Sequence, residues 1–85
     1  MITKSMSVNI PEGLDPSSIA MFIQIASQYE SRIYVEVEKK RVNAKSIMGM
    51  MSLGLPQGSG LTMIADGKDE DKALVHIEKY LNNEQ

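Results

Sequence analysis

The stretch Val42-Asn43-Ala44-Lys45-Ser46-Ile47-Met48-Gly49-Met50-Met51-Ser52-Leu53-Gly54 decides how this chain is read. Ser46 is a residue type that caps helices, because its side-chain oxygen can accept one of the backbone N–H groups left free in the first turn. Gly54 is placed to end the element. Between them, Ile47 to Leu53 forms a short helix carrying Ile47, Met48, Met50, Met51 and Leu53, too many apolar side chains for one buried stripe. By helical spacing Met50 and Leu53 share a face, and Met48 and Met51 lie off it. The first pair is expected in the core and the second on an accessible surface; the plainer alternative is that the whole helix is buried.

Upstream, Arg41-Val42-Asn43 reads as a short strand returning from a polar turn at Glu38-Lys39-Lys40, and Ile33, Val35 and Val37 alternate with Arg32, Tyr34, Glu36 and Glu38 as the strand before it. Asp15-Pro16 supplies a cap and a first-turn proline, and Ile19, Ala20, Phe22, Ile23 and Ala26 follow at helical spacing for about three turns. Met6, Val8 and Ile10 alternate with Ser7 and Asn9, so a first strand is expected there, ended by Pro11-Glu12-Gly13. Downstream, Pro56 to Gly60 is a loop, and Leu61, Met63 and Ala65 alternate as a fourth strand before a turn at Asp66-Gly67. A last helix starts at Asp69 to Asp71, whose carboxylates suit a helix N-terminus, and carries Ala73, Leu74, Ile77 and Leu81 on one stripe. The order βαββαβα, with one apolar face per strand and one stripe per helix, predicts an α+β fold: a four-stranded antiparallel sheet with its helices on one face.

Composition narrows the function classes. A chain of 85 residues is expected to form one domain over residues 1–85, and 42% hydrophobic with 24% charged residues is the balance of a folded globular protein. The absence of cysteine removes disulfides and thiolate metal sites and fits a reducing cytoplasm. Met1 to Met6 carries Lys4 but no apolar run after it, and no run approaches the roughly 18 residues of a membrane span, so neither secretion nor membrane insertion is expected. A net charge of −2 gives no global reason to bind phosphate backbones, and direct nucleic-acid binding is not expected.

The run Val42 to Gly54 resembles the regulatory-serine segment of the HPr family of the bacterial phosphotransferase system. The resemblance extends to element order, total length, the Gly13-Leu14 approach to the first helix, Ala26-Ser27 with Tyr29 at its end, and Ala65 with Gly67 after the fourth strand. It implies an open-faced β-sandwich with strand order 1-4-2-3 and three helices on one side. It also exposes a departure. Where the family has Gly-Ile/Leu-His-Ala-Arg-Pro-Ala, this chain has Gly13, Leu14, Asp15, Pro16, Ser17, Ser18 and Ile19. The phosphocarrier histidine is replaced by Asp15 and the arginine by Ser17, which removes both the nucleophilic imidazole and the cation that steadies a phosphoryl group. Family members that lack the histidine and keep the serine are similar to the catabolite-repression HPr-like proteins, which are regulatory, although those usually retain the arginine.

Each candidate residue has a plain reading beside the functional one. Ser46 is a helix cap, or the target of an HPr kinase/phosphorylase, or both, since a phosphate at a cap meets free N–H groups and Lys45 lies alongside. Ile47, Met48 and Met51 are core or a partner-binding patch; by the resemblance, Ala20 and Gln24 on the first helix belong to the same docking surface. Asp15 is a helix cap, a fixed negative charge where a phosphohistidine would stand, or an aspartyl-phosphate acceptor, the last lacking the metal and extra carboxylates such sites need. His76, the one histidine, reads as a surface residue, neither ligand nor catalyst. Gln57-Gly58-Ser59-Gly60 reads as a turn and not a phosphate loop, and Asp66 with Asp69, Glu70 and Asp71 as a solvated helix start and not a cation site. No metal and no cofactor is expected.

These readings converge on a regulator that is not an enzyme, phosphorylated on Ser46 and binding a LacI-type catabolite control repressor as co-repressor. Two rivals stand beside it: a phosphocarrier working through Asp15, and a self-associating module, since histidine-less relatives can exchange strands into a homodimer.

Overall fold

The computed structural model describes residues 1–84. Its elements are β1 (Ile2–Ser7), α1 (Pro16–Ser27), β2 (Arg32–Val37), β3 (Lys40–Asn43), α2 (Ile47–Met51), β4 (Gly60–Asp66) and α3 (Glu70–Leu81). The strands form one antiparallel sheet in the order β1-β4-β2-β3. The two central strands carry the inward residues Ile33, Val35, Leu61, Met63 and Ala65, and these meet Ile19, Phe22, Ile25 and Ala26 of α1 and Ala73, Leu74, Ile77 and Leu81 of α3 in one buried cluster. Alternation in the strands and the 3.6-residue repeat in the helices therefore point at the same core, as the sequence order requires.

The first strand departs from expectation. β1 pairs with β4 from Ile2↔Ala65 to Ser7↔Gly60, four residues ahead of the predicted start at Met6, and it ends before Val8. Val8 and Ile10 are buried as the alternation requires, but outside the ladder: the Val8 N–H donates to the Ser59 carbonyl at 2.8 Å and the Asn9 N–H to the Leu81 carbonyl at 2.7 Å. The true N-terminal half was hidden because its middle inward position is Lys4, whose ammonium pairs with Glu78 of α3 at 2.8 Å instead of burying an apolar chain.

α2 and β4 also differ from the expected pattern. α2 is two residues shorter than Ile47–Leu53; beyond Met51 the chain coils on through turns, with the Leu53 N–H on the Met50 carbonyl at 3.2 Å, before Gly54 leaves in the left-handed region at φ 56°. Ile64, not among the expected inward positions of β4, is buried on the opposite face of the sheet, in register with Thr3 and Tyr34. Elsewhere that open face is polar: Glu36 pairs with Arg41 at 3.2 Å across β2 and β3, and the Arg41 guanidinium lies 5.9 Å from the Tyr34 ring centre.

Two glycines set the approach of loops to the helical layer. Gly13 has φ +71°, and a Cβ there would lie 2.7 Å from the Leu55 carbonyl oxygen, the group to which Leu14 N–H donates at 2.8 Å. A Cβ on Gly67 would lie 2.6 Å from Ser31 Cα, so only glycine lets the end of β4 pass this close to the start of β2.

Candidate functional site: the serine-capped helix and its neighbour

Ser46 is held where a cap must be. Its backbone is extended (φ −103°, ψ 118°), and its Oγ accepts the Gly49 N–H at 3.2 Å. The entry is fixed from both sides. Ala44 is fully buried and its N–H donates to the Ile33 carbonyl at 2.9 Å, while the Asn43 side chain accepts the Lys45 N–H at 2.8 Å. Ser46 stays half-buried. The neighbouring cation does not face it: Lys45 Nζ donates to the Tyr29 carbonyl at 2.6 Å.

The helix that Ser46 opens has one buried residue, Met50, at 1% exposure, whereas Ile47, Met48 and Met51 are exposed by 56%, 82% and 51%. Leu53 is partly buried against the core. The division of the methionines follows helical spacing, and α2 is not buried as a whole. Gly49 keeps α2 close to β3, since a Cβ there would come within 3.2 Å of Val42 Cβ. On α1, which packs against α2, Ala20 and Gln24 are both exposed. Between them sits Met21, 46% exposed, which the sequence reading passed over. Its signal was available: it lies off the Ile19-Phe22-Ile25-Ala26 stripe, where a methionine has no core to fill.

At the head of α1, Asp15 is the cap. Its Oδ1 accepts the Ser18 N–H at 2.8 Å, and hydrogen bonds from the Ser18 backbone and side chain hold its carboxyl below the ordinary value. Pro16 follows at the first helical position, and Ser17 is exposed. One carboxylate oxygen of Asp15 is thus committed to its own helix.

The acidic cluster at the head of α3 holds the chain together in ways the sequence did not indicate. Asp69 makes no cap bond to its own helix; it accepts the Glu30 N–H at 2.9 Å, the Ser31 N–H at 3.0 Å and the Ser31 hydroxyl at 2.5 Å, bracing the entry to β2. The Ser31 hydroxyl first, then the Glu30 N–H, lower its pKa to about 2. Glu70 accepts the Gly67 N–H and the Met1 amino group, both at 3.1 Å, and lies below its ordinary pKa for those reasons in that order. His76 is likewise more than a surface residue. It is half-buried, shares a 2.6 Å hydrogen bond between Nδ1 and the Tyr29 hydroxyl, and meets that ring edge-on at 86°.

A sheet in the order β1-β4-β2-β3 with a serine capping a short, methionine-exposing helix that packs against α1 is the arrangement of the HPr-like phosphotransferase-system proteins. The family described as PTS HPr component phosphorylation site matches residues 2–83, and the chain belongs to the HPr family. Among its relatives, HPr-like protein Crh of Halalkalibacterium halodurans is 39% identical over 99% of this chain and 100% of its own length. The phosphocarrier protein HPr from Bacillus anthracis superposes with a TM-score of 0.88 at 38% identity, covering 94% of this chain and 95% of that one. Crh of Bacillus subtilis superposes with a TM-score of 0.80 at 39% identity, covering 100% and 98%, and its crystal structure is described as having a swapping domain in a dimer.

Proposed function

We propose that this chain is a non-catalytic regulator of carbon use in the cytoplasm, acting as one HPr-like domain. In this reading HPr kinase/phosphorylase phosphorylates Ser46, and the product binds a LacI-type catabolite control repressor as co-repressor. The observation that carries the reading is the pairing of a capping, half-buried Ser46 with the exposed side chains of Ile47, Met48 and Met51, in a chain whose phosphocarrier positions hold Asp15 and Ser17. Similarity to proteins named HPr-like protein Crh supports it.

The chemistry divides between two parts of the surface. A phosphate on Ser46 adds about −1.5 to −2 of charge and several acceptor oxygens for cationic donors of the partner. The exposed side chains on α2, with Ala20 and Gln24 of α1, supply apolar area and adaptable contact, methionine being unbranched and polarizable. Transfer from phosphoenolpyruvate through enzyme I is not expected. Asp15 is the remaining candidate for such a carrier, and one of its oxygens is occupied by the Ser18 N–H.

Incubation with HPr kinase/phosphorylase and ATP, read by intact mass and peptide mapping, tests the reading. One added phosphoryl group on Ser46 is expected. No uptake, or uptake that persists in Ser46→Ala, removes it. Self-association is a second reading, favoured by the dimer described for the Bacillus subtilis relative and by β1 being an edge strand. Light scattering across a concentration series decides between monomer and dimer.

A further inference from the structure

Six of the seven methionines of this chain fall into two groups. Met6, Met50 and Met63 are 7%, 1% and 0% exposed, inside the core. Met48, Met51 and Met21 are 82%, 51% and 46% exposed, on two helices that pack against each other. Met1, at 77%, is the remaining one and precedes β1, its amino group paired with Asp66 and Glu70. The chain has no cysteine, so these thioethers are its only sulfur.

We infer that Met48 and Met51, with Met21 on α1, form a reversible oxidation site through which peroxide releases the docking surface without disturbing the fold. The inference rests on the docking role proposed above for α2. In the modification step a sulfur lone pair attacks one oxygen of hydrogen peroxide. The S–O bond forms as the O–O bond breaks, and the departing hydroxide takes the remaining proton to leave as water. The sulfur loses two electrons and the peroxide gains them. Reversal by a methionine sulfoxide reductase returns the oxygen as water while a reductase dithiol becomes a disulfide.

The consequence follows from where the sulfurs lie. A sulfoxide is polar, and on a side chain already in water it costs the free protein little. In a complex that buries the same side chain, the new S=O group must be desolvated without a matching donor, so the cost falls on association. Met50, whose oxidation would break the core, is protected by its burial. Exposure therefore separates control of binding from damage to the fold.

The test uses the full chain under native conditions with hydrogen peroxide, peptide mapping over time and a melting curve at each point. Met21, Met48 and Met51 should oxidise on the timescale of the exposed reference Met1, ahead of Met6, Met50 and Met63, with the melting curve kept and the original mass restored by the reductases. Met50 oxidising in step with Met48, or sulfoxides the reductases cannot remove, would overturn the site. Binding of the Ser46-phosphorylated protein to the catabolite control repressor should then fall about tenfold or more on oxidation. Whatever affinity a Met21→Leu/Met48→Leu/Met51→Leu variant starts from, it should keep through the same treatment. Selective oxidation with unchanged binding would overturn the switch. Failure of the unoxidised phosphoprotein to bind would instead count against the docking role, leaving the modification site to be judged by the mapping and the reductase reversal.

Discussion

Lys45 Nζ donates to the carbonyl oxygen of Tyr29 at 2.6 Å, so the cation next to Ser46 in sequence is tied to the C-terminal end of α1 and not to the serine. A phosphate on Ser46 should then draw its local stabilisation from the free N–H groups of α2 and not from Lys45. Phosphorylation is expected to raise stability by about 0.5 kcal/mol. Lys45→Met should lower stability by about 1 kcal/mol through the lost bond to Tyr29, yet leave the phosphorylation increment intact. Urea unfolding of the four species gives the coupling; an increment that vanishes in Lys45→Met would mean that the lysine swings over to the phosphate.

Ser46→Ala should cost about 1 kcal/mol even without any kinase, because the Gly49 N–H loses its acceptor at the head of a five-residue helix. Ser46→Asp, which keeps a capping oxygen, should recover most of that loss. Thermal melts of the two variants are sufficient, and equal losses would show that the cap is not what Ser46 contributes.

Asp69 predicts the acid limb of the stability curve. Its pKa is lowered from 3.8 to about 2 in the folded protein by the Ser31 hydroxyl and the Glu30 N–H. The folded state therefore prefers the ionised form. Its contribution is fully present above the unfolded value of 3.8 and is lost as pH falls from there through about 2. Asp15 and Glu70, both lowered, act with the same sign. Asp69→Asn should lower the melting temperature at pH 7 and flatten its dependence on pH between about 4 and 2. An unchanged slope in that window would place the acid sensitivity elsewhere.

The hairpin between β2 and β3 contains a removable strain. Glu38 has φ +56° at the first position of a two-residue turn, where glycine is the favoured residue. Glu38→Gly should raise stability by about 1 kcal/mol, since relief of the backbone outweighs the added freedom of the unfolded chain. Glu38→Ala, which keeps a Cβ, should not reproduce the gain. Chemical denaturation of the pair separates backbone strain from loss of charge.

The sequence made the fold legible wherever a residue's neighbours in the chain decide its place. Asp15 and Ser46 cap the helices they precede, and Met50 separates from Met48 and Met51 by helical spacing alone. What stayed hidden depends on partners far along the chain. Lys4 occupies an inward strand position because Glu78 waits on α3, so alternation could not reveal the start of β1. Asp69 looks like a cap from its position, but its carboxylate accepts from Glu30 and Ser31, which lie before α3 by a whole strand and more of chain. His76 carries no sign of Tyr29. Of the exposed apolar side chains, those of α2 could be read from its excess of apolar residues, whereas Met21 was missed because it sits next to Phe22 in a helix already explained by its buried stripe.

Met48 and Met50 offer the sharpest test of how α2 divides between fold and function. Met48 is 82% exposed, so its side chain gives up almost no water contact on folding and can contribute apolar burial only in a complex. Met48→Ala should leave the urea midpoint nearly unchanged and weaken repressor binding of the phosphorylated protein by more than about 1 kcal/mol. Met50, 1% exposed, fills the space under the same helix. Met50→Ala should cost roughly 2 to 5 kcal/mol of stability by the lost transfer free energy and the cavity left behind. In so small a protein that is a large share of the total. Any loss of binding in Met50→Ala should track the fraction unfolded and disappear once conditions keep the variant folded, whereas the Met48→Ala loss should persist under every folding condition. Equal stability losses in the two variants would mean that α2 is held to the core by both residues, and the partner surface would then have to be sought on another face.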